Sequence, residues 1–194
     1  MMIDETLAVA LSITSRYVNL KEEELLLFSS LLEKINLNKG DILINQGEIA
    51  KSTYWVKIGL LRQYYYKDGR DITEHFASEG QGMMCIKSLF NNEPSSLIIE
   101  ALEQSVVYLS PYQKLIELSE KYPVFHTYHR KLLEEILIVS QKKADSWRFE
   151  TVRQRYDHFM TEFSQAAKRA SINHIASYLL MTPESLSRVR SGKL

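Results

Sequence analysis

The sequence lacks most of the features that mark secreted and membrane proteins. Its 194 residues include a single cysteine, Cys85, so no internal disulfide can form, and one thiol cannot by itself hold an iron–sulfur cluster or a structural zinc ion. No apolar run approaches the roughly 20 residues that span a bilayer. Asp4 and Glu5 stand where a secretory signal would carry positive charge. We therefore expect a cytoplasmic protein without a membrane partner, in which Cys85 is a small buried side chain.

The motifs of enzyme chemistry are missing as well. The sequence has no nucleophile motif and no glycine-rich loop that would grip a phosphate. Its five histidines are scattered, and His126 and His129 have helical spacing but no third ligand near them in sequence. A haem sensor would need an axial ligand such as His75 or Cys85, and no motif supports either. We expect no enzyme activity, no metal and no cofactor.

Neither basic nor acidic residues are in excess, but the charged residues are distributed unevenly along the chain. The chain has 24 basic and 24 acidic residues. From residue 148 to residue 194 there are eight lysines and arginines against four acidic residues, a local charge of +4 that leaves −4 on the first 147 residues. A cationic end on an anionic body is typical of a phosphate-binding module joined to a module that does not bind nucleic acid.

Hydrophobic patterning divides the chain into a helical start and a strand-rich middle. Apolar residues at helical spacing predict helices over 4–34, in a pattern that Ile35 continues. Six of the seven glycines lie between Gly40 and Gly82, which is typical of an antiparallel sandwich or barrel with short strands. The Asp-Gly pair within 67–71 predicts a hairpin turn. The predicted strands are DILIN, STYWVKI, LLRQYYY, DITEHFA, SLIIEAL at 96–102 and SVVYLS at 105–110.

Helical spacing returns after about Pro111. We predict a short helix at 111–121, a long helix at 123–147 and another helix at 151–168, whose core face is formed by Tyr156, Phe159, Met160 and Phe163. One line of the long helix is formed by Leu132, Ile136, Val139 and Lys143. Such a helix can bury one side on its own barrel and the other on a partner chain. A monomeric core helix is the alternative.

The region from Ser171 to Leu194 carries the functional prediction. Thr182 is a good N-cap because its hydroxyl can accept a hydrogen bond from a free amide of the first helical turn, and Pro183 suits the first position of a helix. One helix therefore ends near Leu180 and the next begins at Pro183, so the two cross steeply. Ala176 is expected at the crossing. The residues predicted to fill the shared core are Leu179, Met181, Leu186 and Val189.

The second of these helices keeps a polar outer face, with a small polar first turn that suits entry into the major groove of DNA. Arg188 can donate two hydrogen bonds to guanine, and Glu184 can accept one from cytosine. With Ser185, these residues are the predicted base readers. The predicted phosphate contacts are Thr182, Ser187, Arg190 and Lys193. A helical hairpin that serves as a lid or an interface is the alternative interpretation of this pattern.

In these features the sequence resembles the Crp/Fnr family of bacterial transcription regulators over nearly its whole length. IASYL…TPESLSRVR is similar to the family's helix-turn-helix, above all in its Bacteroidetes-type members. The glycine-spaced strands, with GDILINQGE near their start and IIEALEQSVVYLS near their end, resemble the family's cyclic-nucleotide-binding-type β-roll. The long helix resembles its dimerisation helix.

The resemblance implies an α+β fold with an N-terminal antiparallel β-roll (a double-stranded β-helix), flanking helices and a C-terminal all-α helix-turn-helix domain. The implied divisions are a sensor domain at 1–122, the dimerisation helix at 123–147 and the DNA-binding domain at 148–194. The resemblance also implies a homodimer, a nearly palindromic double-stranded DNA operator, an unidentified small-molecule effector in the β-roll, and RNA polymerase as a partner. Glu184 and Arg188 match the family's base-reading positions.

The family's cyclic-nucleotide contacts are absent from this sequence. Members that bind these ligands have a Gly-Glu pair for the ribose and an arginine for the cyclic phosphate, but the matching stretch here is GQGMMCIKSLFNNEPSSLIIEAL, with serine in place of the arginine. A buried cyclic phosphate without a cationic partner would be costly, and Lys87 is expected to be solvated. We predict no tight binding of cAMP or cGMP. The residues of this degenerate effector pocket are Met84, Cys85, Ile86, Ser95 and Ser96.

Two further departures concern the C-terminal motif. Leu180 stands where the family commonly has glycine, and a leucine held at positive φ would carry strain of about 1 kcal/mol or more. The sequence ends at Leu194, directly after the second helix, so we expect no β wing there. Both departures support a second hypothesis, in which the protein is a sensor for a ligand or partner and its DNA-binding module is degenerate.

Overall fold

The structure, a computed structural model, describes residues 5–192. The helices of this part are α1 (Glu5–Thr14), α2 (Glu22–Ser29), α3 (Ile86–Asn91), α4 (Tyr112–Lys121), α5 (Pro123–Phe149), α6 (Val152–Glu162), α7 (Ser164–Arg169), α8 (Ile172–Tyr178) and α9 (Pro183–Arg190). The strands are β1 (Glu33–Leu37), β2 (Ile42–Ile44), β3 (Ser52–Ile58), β4 (Leu61–Lys67), β5 (Arg70–Ala77), β6 (Gly82–Met83), β7 (Ile98–Ala101) and β8 (Ser105–Pro111).

The strands form two antiparallel sheets of four strands each, in the orders β1-β8-β3-β6 and β2-β7-β4-β5. The core between them is apolar and includes the fully buried side chains of Val56, Leu61, Ile99 and Val107. Each of the runs predicted as strands pairs within these sheets. The predicted α+β class with an antiparallel β-roll is therefore confirmed.

The turn between β4 and β5 has the conformation that its sequence predicts. Asp68 has φ 51° and Gly69 has φ 74°, so both residues at the tip lie in the left-handed region that a type I′ hairpin requires. Lys67 pairs with Arg70 directly across this turn. The hairpin prediction is confirmed.

The predicted N-terminal helices extend too far along the chain, into the segment that forms the first strand. The apolar spacing around Ile35 predicts a helix, but Ile35 lies in β1 and pairs with Val107 of β8. The pairing runs from Glu33 opposite Leu109 to Leu37 opposite Ser105. This segment is therefore a strand because β8, some 70 residues later, offers it a full set of backbone partners.

The single helix predicted at 151–168 is also wrong, because the chain breaks it at Phe163. This residue has φ −111° and ψ 45°, between α6 and α7. The break allows Phe159 and Phe163 of one segment and Ala166 of the next to be buried in the same cluster. Met160, which was expected on the core face, is exposed.

The C-terminal helices pack against the β-roll through one aromatic cluster. Phe76 of β5 is fully buried, and its ring contacts those of Phe159, Phe163 and Tyr178. Because rings in such edge and tilted pairs attract one another beyond the effect of area burial, α6 and α8 are held against the sheet. Within residues 5–192, none of the helices combines the length and the apolar character needed to cross a membrane.

His75, next to this cluster, predicts a pH dependence of stability. Burial, and to a smaller extent Lys143, lowers the pKa of His75 from 6.5 to about 4. The folded state thus favours the neutral imidazole, so its contribution to stability is present above pH 6.5 and is lost as the pH falls towards 4. We expect the free energy of unfolding to decline over this interval, as measured by urea denaturation, and to decline less in His75→Gln. The exposed His126→Gln serves as the control, and equal declines in wild type and His75→Gln would contradict the assignment.

Candidate functional site

The helix pair α8–α9 forms with the capping chemistry that the sequence predicts. The hydroxyl of Thr182 accepts a hydrogen bond from the amide of Ser185 at 3.2 Å, and Pro183 occupies the first turn of α9. At the start of α8, the hydroxyl of Ser171 accepts one from the amide of His174 at 3.1 Å. The two helices therefore begin where local side-chain caps satisfy amides that would otherwise be unpaired.

The crossing between these helices is packed as expected. Ala176 is buried at the centre of α8, and its carbonyl accepts a hydrogen bond from the amide of Met181 at 2.9 Å. Met181 is half-buried and packs against the buried cluster that contains Phe159, Ala176 and Leu186. The remaining predicted core residues of the pair, all buried, are Leu179, Leu186 and Val189.

Leu180 adopts the strained conformation that was expected of it. Its φ is 51°, in the left-handed region where a Cβ atom costs about 1–2 kcal/mol. Its side chain is 56% exposed, so little burial offsets this cost. The residue therefore weakens the turn that joins α8 to α9.

The outer face of α9 is polar and open to solvent. The predicted contact residues Glu184, Ser187, Arg188 and Arg190 are exposed, and neither arginine forms an ion pair with any residue in the range 5–192. Hydrogen bonds from its own backbone amide and from Thr182 lower the pKa of Glu184, which keeps this carboxylate charged. The outer face of α9 therefore presents two guanidinium groups without an ion-pair partner in the described residues, and the carboxylate of Glu184 as a hydrogen-bond acceptor.

Ser185 and Thr182 are less free than the sequence suggested. Ser185 is half-buried, and the Thr182 hydroxyl donates to its Oγ at 3.2 Å. A hydroxyl can donate and accept at the same time, so both residues keep hydrogen-bonding capacity towards a ligand. Lys193, the remaining predicted phosphate contact, lies outside the described residues.

Arg153 of α6 supports this helix pair, and sequence reasoning did not identify it. Its Nη1 donates to the carbonyl of Val189 at 3.1 Å, near the carboxyl end of α9, while its Nε pairs with Asp157 at 3.1 Å. A cation at the carboxyl end of a helix satisfies free carbonyls and complements the helix dipole. No local sequence signal links Arg153 to a helix that begins 30 residues later.

The predicted effector pocket divides into a buried and an exposed part. Cys85 and Ser95 are buried. Burial, the larger influence, raises the pKa of the thiol, so Cys85 is a neutral core residue. Met84 is half-buried, whereas Ile86 and Ser96 are exposed, so these five residues do not share one enclosed site.

The interior at this position also contains a residue that was missed. The Nε2 of Gln63 donates to the carbonyl of Met84 at 3.0 Å and lies 3.6 Å from the sulfur of Cys85. Lys87 points away from the interior and pairs with Glu93 at 3.1 Å. The described residues of this region thus provide no buried cation for a phosphate. Among residues 5–192, no cluster of three or more histidine, cysteine, aspartate or glutamate side chains has the arrangement of a metal site.

The residues predicted to line a partner on α5 face their own chain in part. Leu132 packs against the cluster that contains Phe28 and Phe125. Lys143 donates from Nζ to the carbonyl of Glu74 at 2.7 Å. Ile136 is half-buried and Val139 is exposed. This line of the helix therefore contacts its own chain at Leu132 and at Lys143, and is open to solvent at Val139.

A family model described as cyclic nucleotide-binding domain matches residues 34–122 of the chain. Among curated proteins, the chain is 30% identical over 170 residues to the transcriptional activator protein anr of Pseudomonas aeruginosa, which covers 79% of this chain and 67% of the relative. It is 29% identical over 186 residues to the fumarate and nitrate reduction regulatory protein of Yersinia pestis, covering 88% and 72%.

Solved structures show a similar fold at lower identity. FixK2 from Bradyrhizobium japonicum aligns with a TM-score of 0.71 and 21% identity, covering 83% of each chain. A putative transcriptional regulator of the crp/fnr family from Eubacterium rectale aligns with a TM-score of 0.66 and 19% identity, covering 89% of this chain and 83% of the other.

The strain at Leu180 predicts a stabilising substitution. We expect Leu180→Gly to raise the free energy of unfolding by about 0.5–1 kcal/mol, because glycine adopts positive φ without a Cβ clash and this gain exceeds its entropic cost. Leu11→Gly is the matched control: Leu11 is 51% exposed inside α1, and the change should destabilise by about 1 kcal/mol. Urea denaturation measures both, and a destabilised Leu180→Gly variant would show that the leucine side chain supports the turn.

Proposed function

Because this chain belongs to the Crp/Fnr family of transcription regulators, we propose that it is a homodimer that binds specific double-stranded DNA and regulates transcription. Relatives with the same β-roll are transcription regulators rather than enzymes. We propose a domain organisation with a sensor domain at 1–122, a dimerisation helix at 123–147 and a DNA-binding domain at 148–194. RNA polymerase is the further partner proposed for a regulator of this kind.

The observation that carries the DNA-binding proposal is the outer face of α9. Leu186 and Val189 anchor the inner side of this helix in the core, while Arg188 and Arg190 remain exposed and unpaired within the described part of the chain. A rigidly backed helix with free arginines is suited to the major groove, where arginine reads guanine. A helix that served only as a lid would not require two exposed arginines without ion-pair partners.

We assign base reading to Glu184, Ser185 and Arg188, with Arg188 on guanine and Glu184 on the amino group of cytosine. The proposed phosphate contacts are Thr182, Ser187, Arg190 and Lys193. Phosphate contacts fix register and carry no sequence information, whereas base contacts specify. The operator of a two-fold symmetric dimer is nearly palindromic.

We place the dimer seam of α5 next to the line formed by Leu132, Ile136, Val139 and Lys143. Leu133, Leu137, Ser140, Ala144 and Trp147 follow each other at intervals of four and three residues, the repeat of a coiled coil. Leu137 is 70% exposed, although a large apolar side chain in such a repeat is normally buried between helices. A second copy of α5 packed on this seam covers it.

We propose that the β-roll interior does not hold a cyclic nucleotide tightly. Its position for the phosphate contains the buried hydroxyl of Ser95, which donates to the carbonyl of Leu97 at 2.9 Å, and no arginine. Gln63, Met83 and Cys85 are buried in the same interior, so side chains occupy space that a ligand would need.

A substitution at Arg188 tests the DNA-binding proposal. Selection of random duplexes against the purified protein should enrich a nearly palindromic site. On that site we expect Arg188→Ala to lose about 1–3 kcal/mol of binding free energy and to relax base preference at one position of each half-site, as measured by fluorescence anisotropy at fixed salt. Arg130→Ala removes the same charge from α5, where Arg130 pairs with Glu134, and should bind as wild type.

The outcome separates the two functional hypotheses. If the selection enriches no sequence, the hypothesis of a sensor with a degenerate DNA-binding module is correct. If Arg188→Ala binds the enriched site as wild type does, the base-reading role assigned to Arg188 is wrong.

The seam on α5 predicts a second result. Leu137→Glu should weaken dimerisation at least about a hundredfold, because a charge buried between two helices without a partner costs several kcal/mol. Sedimentation equilibrium measures the dissociation constant. Ile138→Glu is the matched control, since Ile138 is 55% exposed but lies outside the repeat, and it should remain dimeric. A monomeric Ile138→Glu with a dimeric Leu137→Glu would place the seam on the other face.

A further inference from the structure

A cavity of about 630 Å³ lies where α5, α6 and α8 meet strand β5. Pockets that bury small molecules are typically 300–1,000 Å³ in volume, so this one is large enough for an effector. It lies outside the β-roll interior, between the helix that carries the proposed dimer seam and the pair that carries the proposed DNA-reading face. None of the residues predicted from sequence to form an effector pocket lines it.

Aromatic side chains from three helices form part of the walls of this cavity. Trp147 comes from α5, Phe159 from α6, and Tyr178 from α8, with Phe163 at the break after α6. The rings of Phe159 and Phe163 contact that of Tyr178 at centroid distances of 5.3 and 5.2 Å. Aromatic walls of this kind offer ring faces and edges on which a flat aromatic ligand can pack.

Several charged side chains around the cavity have partners of opposite charge or hydrogen-bond partners. Lys143 pairs with Glu74, and His158 pairs with the carboxylate of Glu150 at 2.9 Å. Asp145 accepts a hydrogen bond from Gln141 at 2.9 Å and lies 3.9 Å from Arg148. Glu162 is the acid that faces the cationic side of the cavity, towards Lys142, Lys143 and His158.

Arg155 has no acidic partner among the described residues. Its guanidinium stacks over the ring of Trp147 at 4.8 Å, and Nη1 donates to the backbone carbonyl of Glu150 at 2.9 Å. Its Nε is buried without a hydrogen-bond partner, and no carboxylate in the described residues pairs with it. A guanidinium without an acidic partner beside an aromatic cavity favours a carboxylate ligand, which it can bind through two parallel hydrogen bonds.

We propose that this cavity is an effector site that takes a flat aromatic molecule carrying one carboxylate. The aromatic walls hold the rings, and Arg155 holds the carboxylate. The ligand bridges α5 and α8 and so sets the position of the α8–α9 pair against the dimerisation helix. This regulatory effect rests on the proposed function, whereas binding of the ligand to the cavity does not.

The proposed dimer seam and the cavity use mostly different residues of α5. Lys142 and Ser146 line the cavity, whereas the seam residues Ser140 and Ala144 line a neighbouring groove between α5 and β5. Trp147 borders both. Of the five seam residues, Trp147 is therefore the one that also lines the cavity.

The test titrates the full-length protein with 2-naphthoate, in the absence of DNA, by isothermal calorimetry. We expect saturable binding of one molecule per chain. Arg155→Gln should weaken it at least about tenfold, since a charge-assisted hydrogen bond is lost, and Arg155→Lys should retain part of the affinity. Thr161→Trp, at the cavity wall, should block binding. Neutral 2-naphthamide should bind wild type about tenfold more weakly.

Arg130→Gln is the control, since it removes a charge from α5 far from this cavity, and it should bind 2-naphthoate as wild type does. Circular dichroism confirms that each variant is folded. The proposal is wrong if wild type shows no saturable binding at millimolar 2-naphthoate, or if Arg155→Gln or Thr161→Trp binds it as tightly as wild type. Equal binding of the amide and the acid would also overturn it.

A second measurement separates this proposal from the function it extends. The affinity for the selected DNA site is measured with and without saturating 2-naphthoate, and we expect it to change several-fold in wild type but not in Thr161→Trp. Absent ligand binding with intact DNA binding overturns the effector site alone. Ligand binding without any specific DNA binding supports the cavity and contradicts the proposed regulator.

Discussion

Strand β5 lies at the edge of its sheet, and an edge strand presents backbone groups that must be paired wherever another element covers them. Helix α8 meets this need through one side chain: the hydroxyl of Ser177 donates to the carbonyl of Asp71 at 2.7 Å and accepts from the amide of Thr73 at 2.8 Å. At the next residue of β5, Lys143 of α5 donates to the carbonyl of Glu74. The edge of β5 therefore fixes both helices, and the position of α9 follows from it.

Two arginines make this docking specific. Arg62 is buried beneath α8, where its Nη2 pairs with Asp71 at 2.8 Å and its guanidinium stacks on Tyr64 at 4.4 Å. A buried charge is tolerated when it is paired and hydrogen-bonded, so α8 can cover Arg62 because Asp71 accompanies it. Arg169 bridges from α7 to Glu79 and Glu103, and this ion pair lowers the pKa of Glu79 to about 2.

In the function proposed above, the same arrangement lets a β-roll with a filled interior form part of a sensor. The output face of α9 is tied to β5 through α8, and the aromatic cavity lies beside this connection, between β5, α5 and α6. A ligand there contacts the elements whose relative position determines where α9 points. In this proposal the sheet serves as the fixed base, and regulation depends on contacts at its edge rather than in its interior.

The sequence by itself determined the features that depend on neighbouring residues, namely the hairpin at Asp68–Gly69 and the helix start at Thr182 and Pro183. The positive φ of Leu180 was expected from the family resemblance alone. Turn and cap chemistry act over a few residues and can be predicted from them. Tertiary structure decided the rest, namely that residues 33–37 form a strand, which line of α5 faces the β-roll, and where the cavity lies. These features arise from partners distant in the chain, whose pairing and burial override local preference.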